Sequence, residues 1–286
     1  MHFNNSIAIL TCWSGPYPWY FSYFLHSCSY NPTIDFYIIT DNQQTINNQP
    51  KNVKISYKTI EEIKAVASEK LGFIVNIDYP YKLCEFKPVY GFLFPEIIKG
   101  YDFWGQGDLD IICGNIRTFI TSKILATYDF ISLRHDYTTG CFALYRNTKQ
   151  MNTFFIRSKD YKKIFSKSEY YNFDECGFAF PGLHAGKSIF EIQTAIESFT
   201  HLIKAAHSKN EIKAHFDFIL MEGATGRVTF DNGRILYKNE LEAILYHLVT
   251  LKKTCLIPKK TKDIPAYYTI SPTRINYPKS NKKLQY

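Results

Sequence analysis

Asp108-Leu109-Asp110 is the part of this sequence best placed to do chemistry. The two acids stand two positions apart inside YDFWGQGDLDIICGNI, an otherwise apolar and glycine-marked stretch from Tyr101 to Ile116. In an extended chain alternate side chains share a face, so both carboxylates would point the same way. Like charges that close repel unless something positive lies between them. The segment therefore either ends in a solvated turn or holds a cation. Hard divalent ions such as Mg²⁺ and Mn²⁺ take oxygen ligands and share them with substrate phosphates. A cation held there would offset the charge that grows on a leaving phosphate. Asp-x-Asp alone is a weak signal, and its context strengthens it. Gly105-Gln106-Gly107 lets another group approach the backbone closely, and the apolar IICGNI after Asp110 does not read as an exposed loop.

Such a pair needs a scaffold. SIAILTC (Ser6 to Cys12) and IDFYIITD (Ile34 to Asp41) are short apolar runs suited to buried parallel strands, and NVKISYK is a third candidate. YFSYFLHSCSYN is a candidate helix, reached through the Gly/Pro-marked loop WSGPYPWY. TIEEIKAVASEKLG predicts a helix with Thr59 as N-cap, Glu62 three residues on and Gly72 at its end. KPVYGFLFPEII predicts a helix with Pro88 in its first turn. YDFISLR and GCFALYRN predict further strands, and KQMNTFFIRSKDYKKIF a helix. RVTFDNGRILYK is a hairpin signature, with Asn232-Gly233 between two alternating strands. Strand–helix alternation argues for an α/β fold with a mostly parallel central sheet flanked by helices, followed by a late β-hairpin and an extended basic C-terminus. Ligands of open α/β sheets bind at the carboxyl ends of strands, where Asp108 and Asp110 are expected.

Composition narrows the function classes. The chain has 286 residues, 45% hydrophobic and 17% aromatic, with 22 Tyr and 23 Phe. That length allows one large domain or a main domain with an appendage. The aromatic excess suits a packed core or carbohydrate recognition. The formal charge of +8 is concentrated toward the end, from LKKTCLIPKKTKD to SPTRINYPKSNKKLQY. Such a tail attracts phosphate-bearing partners or an anionic membrane surface. No nucleic-acid-binding motif is present, so nucleic acid is not an expected partner. The seven cysteines form no Cys-x-x-Cys pair, and their odd number argues against a complete disulfide framework. With neither a signal-peptide pattern nor an apolar run of membrane-spanning length, the expected location is cytoplasmic, or peripheral on the inner face of the cell membrane.

The block YKLCEFKPVYGFLFPEIIKGYDFWGQGDLDIICGNI resembles the central block of bacterial polysaccharide-type glycosyltransferases with the GT-A fold. There a Lys-Pro-x-x-Gly segment precedes a Trp-Gly-x-x-Asp-x-Asp strand end. The similarity continues through TTGCFALYRN, FDECGF and YHLVTLKK, up to about residue 253. The resemblance implies a GT-A domain over residues 1–253 and a basic extension over 254–286. It further implies a nucleotide-sugar donor (a UDP-sugar), Mn²⁺ or Mg²⁺, and transfer to a glycan or lipid-linked saccharide acceptor in surface polysaccharide (capsule or lipopolysaccharide) biosynthesis.

Carried over position by position, it makes Asp110 a metal ligand and Asp108 a contact to metal or ribose. His247 supplies the late imidazole of the metal site, with Lys252 nearby for a diphosphate. Thr11, Cys12 and Trp13, at the end of the first strand, are expected to read the base. Asp41 is a further candidate for base or ribose. Lys82 and Lys87 suit phosphate as mobile point charges, with Glu85 holding them or a sugar hydroxyl. Asp174 or Glu175 is the expected general base if the transfer inverts, and the stereochemistry stays open. His184, His201, His207 and His215 are read as surface or structural. Two rivals remain: a non-catalytic carbohydrate-binding or scaffold protein, and a sugar nucleotidyltransferase. The latter normally shows a basic Gly-rich loop after the first strand, and WSGPYPWY has no basic residue.

Overall fold

The scaffold follows from where apolar residues run unbroken and where they alternate. In a computed structural model, which describes residues 5–217, 219–223, 227–256 and 263–278, the strands are β1 (Ile7–Trp13), β2 (Ile34–Thr40), β3 (Val53–Tyr57), β4 (Phe103–Gly107), β5 (Ile111–Cys113), β6 (Phe130–Ser132), β7 (Phe142–Arg146), β8 (Ala214–Phe216), β9 (Leu220–Glu222), β10 (Val228–Asp231), β11 (Arg234–Tyr237), β12 (Leu241–Ala243), β13 (Leu245–His247), β14 (Tyr267–Ser271) and β15 (Arg274–Asn276). The main sheet has seven strands in the order β3-β2-β1-β4-β7-β6-β8. All its neighbours are parallel except β7, which runs against both β4 and β6. The fold is therefore mixed α/β with a mostly parallel central sheet. β1 sits between β2 and β4, which is why its residues from Ile7 to Leu10 are all buried and apolar.

The Lys-Pro-x-x-Gly segment and the Trp-Gly strand pack against each other. A Cβ on Gly91 would lie 2.4 Å from the Trp104 indole, so the Lys-Pro-x-x-Gly glycine makes room for the Trp of the next strand. Trp104 is fully buried, stacks on Tyr145 at 4.0 Å and donates from Nε1 to Asn152 Oδ1 at 2.7 Å. Gly105 likewise yields its space to the core, because a Cβ there would meet Ala143 O at 2.6 Å and Ile9 Cδ1 at 2.8 Å.

Helices cover the sheet. Ile60–Leu71 starts with a reciprocal capping box between Thr59 and Glu62 and ends at Gly72 in the left-handed region (φ 74°). Phe199–Ser208 buries Phe199, Leu202, Ile203 and Ala206, and Phe199 meets Phe130 and Tyr145 edge-on or tilted. Two expected helices are different. The first turn with Pro88 is replaced by a 3₁₀ helix, Pro80–Val89, which starts at Pro80 and carries Pro88 near its end. Short α-turns follow at Tyr90–Leu93 and Pro95–Ile98, separated because Pro95 has no N–H to donate and restricts Phe94. The segment Lys149–Ser166 is three pieces rather than one helix. Ser158 Oγ donates to Glu197 O, Asp160 Oδ2 accepts from Glu197 N, and Lys159 N donates to Glu197 Oε2 at 3.0 Å, so a long-range bond takes over the backbone at that point.

Two smaller sheets complete the chain. β5, β13 and β9 form one, with β13 central. The other is antiparallel, in the order β12-β11-β10-β14-β15, with Asn232-Gly233 turning between β10 and β11. Residues 263–278 of the C-terminal part contribute β14 and β15 to it. The most basic pieces, 257–262 and 279–286, lie outside the described residues. Among the described residues, no helix is long and apolar enough to cross a membrane.

The antiparallel sheet meets the helix Phe21–Ser29 through aromatic rings. His26 lies within 5.3 Å of the Tyr30 and Phe230 centroids and 6.1 Å of Tyr268. Its Nδ1 is buried and meets no hydrogen-bond partner among the described residues. Burial lowers its pKa from 6.5 to about 4. The unfolded chain therefore binds more protons between these values, so stability is present above pH 6.5 and is lost as pH falls toward 4. Urea midpoints measured across pH 4 to 7 are expected to fall on the acid side, and His26→Phe to flatten that limb. An unchanged acid limb in the variant would remove His26 as its cause.

Candidate active site

Leaving β4, the chain keeps one bond to the sheet, Asp108 N to Cys141 O at 3.1 Å, and then changes sheets. Leu109 is buried in the core, so the flanking Asp108 and Asp110 are turned the other way. β13 runs antiparallel to β5 with His247 opposite Ile111, and Leu248 N donates to Asp110 O at 2.8 Å. That register sets His247 beside Asp110, with Nε2 3.5 Å from Asp110 Oδ2. The short helix Leu251–Thr254 then delivers Lys252, which pairs with the same Asp110 oxygen. Glu222 arrives on β9, parallel to β13 and directly opposite His247, and meets His247 Nδ1 at 2.5 Å.

The electrostatics follow from this geometry. Burial alone would raise the pKa of Asp110, but the His247 bond and charge, with Lys252, hold it well below the usual carboxylate range. Burial would lower His247, yet Cys141, Asp110 and Glu222 together hold it well above the ordinary histidine value. Burial keeps Cys141 as a thiol, pushed up to about 11. Lys87 Nζ lies 2.7 Å from Asp108 Oδ1 and 3.7 Å from Asp174 Oδ2, a cation bridging the two acidic groups. Burial opposes its charge, but Asp108 above all holds its pKa well above normal.

The far wall carries the second pair of acids. Glu175 is fixed at both oxygens, by Gly140 N at 3.0 Å and Asn172 Nδ2 at 2.9 Å. Its carbonyl accepts from Thr200 Oγ1 at 2.6 Å, which ties it to the start of the helix Phe199–Ser208. Asp174 is less constrained, facing Lys87 and the Tyr170 hydroxyl at 3.4 Å. Burial raises both carboxyls, Asp174 strongly and against the pull of Lys87.

Thr11, Cys12, Trp13, Lys87, Asp108, Asp110, Asp174, Glu175, His247 and Lys252 line one cavity of about 540 Å³. Two candidates are elsewhere. Asp41 shapes the loop after β1, accepting from Ser14 Oγ at 2.6 Å and Gly15 N at 2.8 Å. Lys82 is fully buried, paired with Glu85 and donating to the carbonyls of Ile164 and Glu169, so it has no free face for phosphate. Sequence reasoning missed Glu222, Tyr137 and Tyr170, which also line the cavity. Tyr170 stands beside the flagged acids in YYNFDECGF, an available signal, whereas nothing around Glu222 marks it.

Asp108, Asp110 and His247 each offer a ligand atom, and these atoms lie within 4.8 Å of one another. Two carboxylates and an imidazole suit Mn²⁺ or Mg²⁺. The Glu222 carboxylate on the other ring nitrogen is the outer partner that a metal-bound histidine usually has. Five carboxylates line the cavity (Asp108, Asp110, Asp174, Glu175, Glu222) against the lysines Lys87 and Lys252 and the single imidazole His247.

A family profile described as a family of unknown function (DUF6625) matches residues 9–278. No curated protein matches the chain. Among solved structures, a galactosyltransferase LgtC in complex with donor and acceptor sugar analogs matches with a TM-score of 0.34 and 11% identity, over 57% of this chain and 66% of that one. The chain thus spans just under two thirds of that structure's length, and a superposition this loose transfers neither fold nor activity.

Proposed function

Since the chain belongs to the DUF6625 family, whose function is unknown, we propose from its own cavity that it is a metal-dependent glycosyltransferase of GT-A type. It would move a sugar from a UDP-sugar to a glycan or lipid-linked acceptor in surface polysaccharide assembly. One observation carries the reading: Asp108, Asp110 and His247 converge within 4.8 Å, just past the carboxyl end of β4 and beside Lys87 and Lys252. Residues 1–253 would form the transferase and 254–286 a basic extension, of which β14 and β15 pack on the antiparallel sheet while the lysines of 257–262 and 279–286 would suit an anionic membrane surface.

Asp108, Asp110 and His247 would hold Mn²⁺ or Mg²⁺, which when bound offsets the charge developing on the departing diphosphate. Glu222 orients the imidazole by fixing Nδ1, leaving Nε2 toward Asp110. Lys252, now paired with Asp110, would be free to bind a diphosphate if a cation took its place. Thr11 to Trp13 line the cavity at the end of β1 and would meet the base, followed by a loop that Asp41 holds in shape. In an inverting transfer Asp174 is the better base, because both oxygens of Glu175 are already engaged.

The test is thermal unfolding with Mn²⁺ and nucleoside diphosphates, separately and together. UDP with Mn²⁺ at about 100 times its Kd should stabilise by about 2.7 kcal/mol, or roughly 5–10 °C for a chain of this size. UDP alone should give little. No response to UDP or GDP with the metal would replace this reading with a carbohydrate-binding protein.

A further inference from the structure

The cavity opens onto a rim of aromatic side chains that the donor half of the site does not use. Tyr81 is 62% exposed and Phe178 55% exposed. Half-buried Tyr170 joins them, its centroid 4.9 Å from Tyr81 and 5.8 Å from Phe178, at 61° and 79°. Three rings thus run without a break from the cavity, which Tyr81 and Tyr170 line, out to the surface. The inner end of the row touches the acids, where Tyr170 donates to Asp174.

Phe178 is exposed at a cost to its backbone. Its φ of 64° lies in the left-handed region that bulky residues avoid. The loop is built to hold it there. Asn172, itself at φ 56°, accepts from Phe178 N at 3.2 Å and Cys176 N at 3.3 Å through Oδ1. The same amide donates from Nδ2 to the Glu175 carboxylate. One side chain therefore sets both a buried acid and the strained backbone that presents an exposed ring. Strain kept beside a site, for a ring left more than half exposed, points to a ligand.

We propose that Tyr81, Tyr170 and Phe178 form the platform on which a saccharide acceptor rests. Its apolar ring face lies on the aromatic row, and its hydroxyls reach toward Asp174 and Glu175. A saccharide is the class that matches both halves, since it carries C–H faces and hydroxyl donors on one molecule. An acyl chain carries no hydroxyl to meet Asp174, which Tyr170 approaches only to 3.4 Å and Lys87 to 3.7 Å. Only the word acceptor rests on the transferase reading; the platform rests on the rim.

The experiment measures binding of the full chain to an array of immobilised short saccharides, for wild type, Phe178→Gly and Tyr81→Ala. Mn²⁺–UDP affinity is measured on the same three proteins by calorimetry. Glycine suits the left-handed backbone, so Phe178→Gly should keep its thermal midpoint and lose only the ring. The wild type should retain at least one saccharide, and each variant should weaken it by about tenfold, with Mn²⁺–UDP affinity unchanged. A wild type that retains no saccharide, or variants that bind as well as wild type, would overturn the platform. Rim-dependent saccharide binding by a protein that ignores Mn²⁺–UDP would support the platform and sink the transferase.

Discussion

Asp110→Ala should reduce manganese-dependent hydrolysis of a UDP-sugar on the order of 10³-fold. Asp110 is the residue on which the cluster converges: His247 Nε2, Lys252 and the proposed cation all share its carboxylate. Its removal takes away a ligand and leaves two positive groups facing each other, which further opposes a divalent ion. Glu222→Gln provides the graded comparison. It keeps the shape of the side chain but loses the charge opposite His247 Nδ1, and should cost about 10–100-fold in metal affinity. Initial rates over a Mn²⁺ titration, with a panel of nucleotide sugars, separate the two variants. Rates that survive Asp110→Ala would exclude this cluster as the seat of the reaction.

Lys82→Met should have the largest effect on stability and little on the cavity. Lys82 and Glu85 are both fully buried and paired with each other. Removing one member of a buried pair costs about 3–5 kcal/mol, here roughly 10 °C in Tm. Glu85 would keep its bonds from Tyr171 N and Phe173 N but lose its cation. Burial already raises its pKa above 4.5, with Lys82 opposing that rise, so the variant raises it further. A group with a raised folded pKa stabilises fully below its unfolded value and loses that contribution as pH rises through the folded one. The deficit of Lys82→Met should therefore grow from pH 5 to pH 8, and adding Glu85→Gln should recover much of it at the higher pH. A deficit that is small or independent of pH would contradict the pair as a structural clamp.

What the sequence made legible was local. The Thr59–Glu62 cap, the left-handed Gly72 and the apolar runs of β1 and β2 depend on neighbours in the chain. Asp-x-Asp was readable because alternation around a buried Leu109 forces its two acids to one side. What escaped depends on partners far away. Lys82 and Lys87 are five positions apart in one 3₁₀ helix, yet one closes a core pair and the other faces the cavity. No periodicity separates them, because Ile164 and Glu169, which fix Lys82, come more than eighty residues later. Glu222 is equally silent until β9 pairs with β13. The close approach expected at Gly105 is there, made by Ala143 O and Ile9 Cδ1 of the core.

The late delivery of β13 has a consequence for how the protein is made. The seven-stranded sheet needs nothing beyond residue 216, whereas His247 and Lys252 follow the last of its strands by more than thirty positions. On the ribosome, a nascent chain can thus pair the strands of its central layer, with Lys87 already available to Asp108, while Asp110 still stands without the imidazole and the ammonium that come to face it. Translation that stops before β13 would yield a product that lacks both His247 and Lys252 of the cluster.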